Sequence, residues 1–141
     1  MKTAIRIKGM VKNRKIVDNT LHRLRLRRKY ACVVLPKPTK EQDAMIANMK
    51  DFVAFGEIDD SLFKKLVEAR GEMIDKSKKT DMKKAAEEIL SGKTYKEANI
   101  KPFFRLHPPR GGIDAKKHVG VYKGVLGNHK DQLGKLLERM L

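Results

Sequence analysis

The first 58 residues change hydrophobic period four times, and this constrains the fold more than any other feature of the chain. Thr3 to Lys8 alternates, with Thr3, Ile5 and Ile7 on one face and Ala4, Arg6 and Lys8 on the other. That predicts a strand with one buried face. A basic loop, Gly9–Lys15, follows. Val17, Leu21 and Leu24 then fall on one stripe, which predicts a helix over Asp18–Arg25 with Asp18 as its cap. Arg28 would land on the same stripe, so the helix stops before it. Ala31–Leu35 is a continuous β-branched apolar run, the mark of a buried strand, and Pro36 and Pro38 end it. Thr39 and Gln42 have capping-box spacing and open a second helix with Met45, Ile46 and Met49 inward. Asp51 ends that helix, and Phe52–Phe55 reads as a third strand closed by Gly56. A β-α-β-α-β order of this length predicts a two-layer α+β unit over residues 1–58, with both helices on one sheet face.

Residues 59–141 follow a different pattern and read as a mostly helical extension. Leu62, Phe63, Leu66 and Val67 predict a helix over Ser61–Arg70, followed by Gly71. After a polar linker over residues 74–80, Thr80 is placed to cap a helix with Met82, Ala85, Ala86, Ile89 and Leu90 on one face. Gly92 marks its stop, and Thr94 with Glu97 forms a further capping box. Residues 102–112 read as an irregular basic loop. Residues 113–127 are glycine-rich, with at most one ribbon around Val119–Tyr122. Asn128 is placed to cap a last helix that carries Leu133, Leu136, Leu137 and Met140 on one face.

The sign of the charge is segregated along this framework. The 141 residues hold 33 Lys or Arg and 17 Asp or Glu, a net charge of +16. Residues 1–41 carry +11, residues 42–100 carry −1 and residues 101–141 carry +6. Two basic thirds flanking a neutral middle are the electrostatic footprint of a polyanion partner. Anionic membrane is the competing polyanion, but no segment pairs a basic face with a Trp/Phe-rich apolar one. Nor does any stretch reach the roughly 20 apolar residues of a membrane span. The N-terminus lacks the pattern of a secretory signal. The single cysteine, Cys32, excludes an internal disulfide. The chain therefore reads as an intracellular, cytoplasmic binder of nucleic acid.

Enzymatic chemistry finds little support. Ser91-Gly92-Lys93-Thr94 ends like a phosphate-binding loop, but the required first glycine is Glu87, and the tetrapeptide closes a helix instead of opening one. Gly120, Gly124 and Gly127 lack dinucleotide spacing. His22, His107, His118 and His129 are scattered without metal-ligand spacing, so no metal is expected. Cys32 lies in a core strand, where a structural thiol is the simpler reading. No cofactor or small-molecule substrate is implied. Phe52-Val53-Ala54-Phe55 matches only the tail of the RNA-recognition-motif signature, so core packing accounts better for its two rings. Aromatics are only 6% of the chain, which favours backbone and shape contacts with folded nucleic acid over stacking platforms.

Three basic clusters carry the binding chemistry. Lys12, Asn13, Arg14 and Lys15 occupy the loop after the first strand, where side chains and backbone N–H groups can reach phosphates. His22, Arg23, Arg25, Arg27, Arg28 and Lys29 crowd the first helix and its exit, and would repel one another without an anion against them. Arg105 and Arg110 flank His107-Pro108-Pro109 in a loop closed by Gly111-Gly112. An arginine there offers a planar fork to phosphate or base edges.

Several of these segments together resemble a known family. They are Leu24-Arg25-Leu26-Arg27-Arg28, Val33-Val34-Leu35-Pro36, the Met45-Ile46 helix, the Phe52–Glu57 strand, Pro109-Arg110-Gly111-Gly112 and Gly127-Asn128-His129-Lys130-Asp131-Gln132-Leu133 with Arg139-Met140. The family is the large-subunit ribosomal protein called L thirty (L seven in eukaryotes), and the likeness spans nearly the whole chain. The second half resembles archaeal and eukaryotic members, and the missing long basic N-terminal extension points to the archaeal type. The resemblance implies a ferredoxin-like three-stranded sheet with two helices on one face, plus a mostly helical extension. It implies a structural, non-catalytic role, binding 23S-type rRNA close to 5S rRNA beside neighbouring large-subunit proteins. It places RNA contacts on Asn13, Arg14, Lys15, His22, Arg23, Arg25, Arg27 and Arg28. Lys130, where an acidic residue is usual, and Gly134 inside the last helix are departures. On this reading the middle helices face solvent or another protein. A free RNA chaperone or regulator outside the ribosome is the alternative.

Overall fold

β1 (Lys2–Arg6) lies at the centre of a six-stranded sheet, and every other strand is placed by reference to it. A computed structural model describes residues 1–11, 13–77 and 80–141. β2 (Ala31–Leu35) and β3 (Val53–Glu57) flank β1, both antiparallel to it. The sheet then grows outward with strands from the second half. Two-residue β4 (Phe104–Arg105) adds to β2, β6 (Gly124–Asn128) adds parallel to β3, and β5 (Ala115–His118) lies outside β6.

Both faces of this sheet are covered. α1 (Lys15–Arg23) and α2 (Lys40–Asn48) sit on one face, where Leu21, Leu24, Ile46 and Met49 pack with Ala4, Val33, Val53 and Phe55. The expected α+β unit with two helices on one face is thus present. α3 (Asp60–Arg70), α4 (Met82–Leu90) and α5 (Leu133–Glu138) supply the second core, against Ile5, Ile7, Cys32, Val34 and Ala54. The expectation that β1 buries only one face is therefore corrected: Ala4 and Arg6 are as buried as Ile5. The middle helices likewise do more than face solvent, because their apolar stripes close the second side. Phe63 meets Phe104 edge-on at 6.4 Å, joining α3 to β4.

Local signals in the sequence map closely onto these elements. The Thr39 hydroxyl accepts from Gln42 N–H at 3.2 Å, while the Gln42 side chain accepts from Thr39 N–H at 3.1 Å. The Thr94–Glu97 box also forms. Gly92 (φ 108°) ends α4 in a Schellman motif, with Lys93 N–H on Glu88 C=O and Gly92 N–H on Ile89 C=O. That is a helix stop and not a phosphate loop.

Other boundaries move. α1 begins at Lys15, so Asp18 lies in its first turn and does not cap it. The third strand starts at Val53 and contains Gly56, whose added Cβ would sit 2.3 Å from the Lys130 carbonyl oxygen. Only glycine permits that approach of the C-terminal backbone to β3. Asp81 caps α4 in place of Thr80, accepting from Lys83 N–H. Val119–Tyr122 is the turn between two strands and not itself a ribbon. Asn128 ends β6, and its side chain accepts from Lys130 N–H at a 3-10 turn (Lys130–Gln132) that leads into α5. Gly134 packs against α3, where an added Cβ would stand 3.3 Å from Leu62 Cδ2.

Candidate nucleic-acid interface

The exit of α1 is built around a left-handed arginine. Leu24 is the C-cap, and Arg25 follows at φ 60°, the position normally given to glycine. Arg25 N–H donates to His22 C=O and Leu26 N–H to Leu21 C=O, closing a Schellman motif. Leu21 and Leu26 are fully buried and seal the turn from within. The chain then runs outward through Arg27, Arg28 and Lys29, all exposed, and returns to the sheet at Tyr30 (φ 63°).

Arg6 holds that exit in place, and the sequence pattern gave it only a solvent-facing position. It is 1% exposed in the central strand. Its Nε donates to Lys8 C=O at 3.0 Å and one terminal nitrogen to Gly9 C=O at 2.8 Å. The other terminal nitrogen donates to Leu26 C=O at 2.9 Å and Arg27 C=O at 3.0 Å. One buried fork thus joins the loop after β1 to the segment after α1. Asp18 lies 3.8 Å away. Burial pulls the guanidinium pKa below its ordinary value, and the Asp18 carboxylate pulls it partly back. The available clue was an arginine flanked by Ile5 and Ile7.

The exit segment lines a cleft of about 750 Å³. His22, Arg23, Arg25, Arg27, Arg28 and Lys29 form one wall. Arg105 and Phe103 come from the far end of the sequence to form the other, because β4 pairs Arg105 with Ala31. No carboxylate is among the lining residues. Among the described residues, none stands within ion-pair distance of any of these cations. The second cluster and half of the third are therefore brought together.

The remaining expected residues lie elsewhere. Arg14 and Lys15 are exposed at the start of α1, and Asn13 donates to Gly9 C=O and to Asp18. Lys12 falls outside the described residues. Arg110 is exposed beside α5 and does not line the cleft. Its carbonyl accepts two hydrogen bonds from Arg139, at 3.0 and 2.8 Å. Beside the first loop, Met10, Val11 and Ile16 are 58%, 84% and 76% exposed. These apolar tips sit among cations and were not singled out from the sequence.

Cys32 is fully buried, and burial pushes its thiol well above the ordinary range, so it is an inert core group. Among the described residues no group of three potential metal ligands forms. No helix of the described residues is long and apolar enough to cross a membrane.

An exposed, unpaired cluster of cations in a cleft with one aromatic wall suits a polyanion with flat bases. No family model matches the chain. Curated relatives do, at nearly full length. The Large ribosomal subunit protein uL30 of Desulfurococcus amylolyticus is 37% identical over 156 aligned positions, covering 97% of this chain and 96% of its own. That of Archaeoglobus fulgidus is 34% identical, covering 99% of each chain. That of Methanosphaera stadtmanae is 33% identical and covers both chains in full. With identities above 30% across almost every residue, the chain belongs to the uL30 family of large ribosomal subunit proteins.

Proposed function

We propose that this chain binds and stabilises 23S-type rRNA close to 5S rRNA, with residues 1–58 as the rRNA-binding core and 59–141 as its extension. Family membership makes it a ribosomal structural protein and not an enzyme. One observation carries the rRNA reading: seven cationic or titratable side chains from two distant segments converge on one cleft whose lining holds no carboxylate. Such a surface is costly to assemble unless an anion occupies it. Arg23, Arg25, Arg27, Arg28, Lys29 and Arg105 neutralise phosphates, and His22 donates to a phosphate or base edge. Asn13, Arg14 and Lys15, with Lys12, extend the contact along the first loop, and Arg110 adds a separate one. Met10, Val11 and Ile16 rest against sugar or base surfaces between them. Left-handed Arg25 supports the same reading, since strained non-glycine residues concentrate at functional sites.

The alternative, an RNA chaperone or regulator acting outside the ribosome, is separated by sedimentation. The chain is expected to stay with large subunits through a high-salt wash that strips loosely bound factors. Complete recovery in the supernatant would contradict the structural role. Nucleotide-resolution crosslinking of the washed subunit is expected to place crosslinks in 23S-type rRNA and at neighbouring 5S nucleotides. Crosslinks confined to rRNA remote from 5S would remove the 5S part of the proposal.

A further inference from the structure

Residues 116–123 are eight consecutive exposed positions at the opposite edge of the sheet from the cleft. Residues 115–130 contain four lysines and no Asp or Glu. Despite its exposure, this strap is firmly tied down. Gly124 passes so close to β5 that an added Cβ would sit 2.1 Å from the His118 carbonyl oxygen. Val119 N–H donates to Leu126 C=O at 2.9 Å, and Gly124 N–H to Val121 C=O at 2.9 Å. His118 Nε2 meets Asp51 Oδ1 at 2.7 Å, fastening the strap to the turn after α2.

What the strap presents is a ring among cations. Tyr122 and Lys123 are both left-handed, at φ 45° and 53°. Neither is a glycine, so the backbone is held in a conformation that side chains disfavour. The result is a Tyr122 ring 80% exposed, with the Lys117 ammonium 4.4 Å from its centroid and Val121 exposed beside it. A fixed, solvent-facing aromatic flanked by lysines is the chemistry that stacks an unpaired base and neutralises its phosphates. An acidic protein surface would pair with the lysines but leave the outward ring without a role.

The strap is also electrostatically separate from the cleft. β4 and β5 are five strand spacings apart, about 24 Å at ~4.8 Å each. That is about three times the ~8 Å Debye length at physiological salt. We propose that the β5–β6 strap is a second RNA contact. It takes an unpaired base on Tyr122 and flanking phosphates on Lys116, Lys117 and Lys123, so that the chain bridges two rRNA segments across its sheet. This rests on the reading of the cleft as an rRNA surface.

The buried sole cysteine makes the test clean. Lys29→Cys and Val121→Cys, each carrying tethered iron-EDTA on the full chain, are bound to protein-free large-subunit rRNA. The expected result is cleavage from position 121 in a segment distinct from that cut from position 29. Tyr122→Ala is expected to weaken rRNA binding about 5- to 100-fold, with Tyr122→Phe restoring it. Replacing Lys116, Lys117 and Lys123 by Gln is expected to lower the salt slope by about 2–3. Cleavage from position 29 but none from 121, with Tyr122→Ala binding as wild type, overturns the bridge and leaves the cleft intact. So does loss of a bound protein, with rRNA binding unchanged, in the strap variants. Silence from both tethers overturns the cleft reading as well.

Discussion

The α1 exit and the α3–α4 pair are both rich in charged side chains and use them in opposite ways. On α3 and α4, Lys64 meets Glu87 at 3.0 Å and Lys83 meets Glu68 at 3.6 Å, and just beyond α4 Lys93 meets Glu88 at 3.4 Å. At the α1 exit, among the described residues, no cation meets one. Exposed pairs of the first kind contribute little stability individually, but they leave the surface neutral. The second arrangement leaves a field that only an external anion can satisfy. On the proposed reading, the number of charges does not mark the binding surface; the lack of an internal partner does.

The largest test of this contrast is Arg6→Met. It leaves four carbonyls without their donor and Asp18 without its nearest cation. We expect a loss of about 3–5 kcal/mol in denaturant unfolding. The folded fraction should also bind rRNA more weakly, because Arg27 and the loop after β1 are no longer held together. Leu137→Ala is the matching change on the other sheet face. It should cost a comparable ~2–5 kcal/mol through a cavity, yet leave rRNA affinity per folded molecule unchanged. Equal effects of the two variants on affinity would erase the distinction between the regions.

A subtler variant sharpens it. Arg25→Gly removes a left-handed side chain that costs roughly 1–2 kcal/mol, offset in part by the freer unfolded chain. Stability is expected to rise by up to about 1 kcal/mol while rRNA affinity falls. A loss of stability in thermal unfolding would show that the arginine packs instead of being strained.

The smallest expected effect is acid sensitivity confined to the extension. The Lys101 hydrogen bond holds the Glu72 carboxyl below its ordinary range, and the Thr94 backbone N–H does the same for Glu97. Both folded-state values are depressed, so the contribution is present above the unfolded value of about 4.3 and lost as pH falls through the folded one. Glu72→Gln with Glu97→Gln should flatten a slight fall in melting temperature in that window. An unchanged acid limb would assign it to other carboxylates.

Much of this framework was legible in the sequence because it rests on local chemistry. Thr39 with Gln42, Gly92 after an amphipathic stripe and the Ala31–Leu35 run each specify their structure within a few residues. The basic exit of α1 was equally visible. What escaped depends on distant partners. β4 has two residues and β5 is Ala-Lys-Lys-His, so neither carries an alternation; each becomes a strand only because an existing edge offers free backbone groups. Arg6 looked solvent-facing because period two assigns a face but not what covers it. Its cover is the loop after β1 and the segment after α1, whose carbonyls it binds. Arg105 joins the cleft from much further along the chain, through pairing with Ala31.

Salt dependence distinguishes cations awaiting an external anion from cations already paired. Binding to large-subunit rRNA would be measured across salt concentrations for two triple variants, Arg25, Arg27 and Arg28 to Ala, and Lys64, Lys83 and Lys93 to Ala. Each removes three positive charges and should keep the fold. The slope is expected to be smaller by about 2–3 for the first and unchanged for the second. Equal slopes for the two variants, or wild-type binding by the first, would contradict the rRNA reading of the cleft.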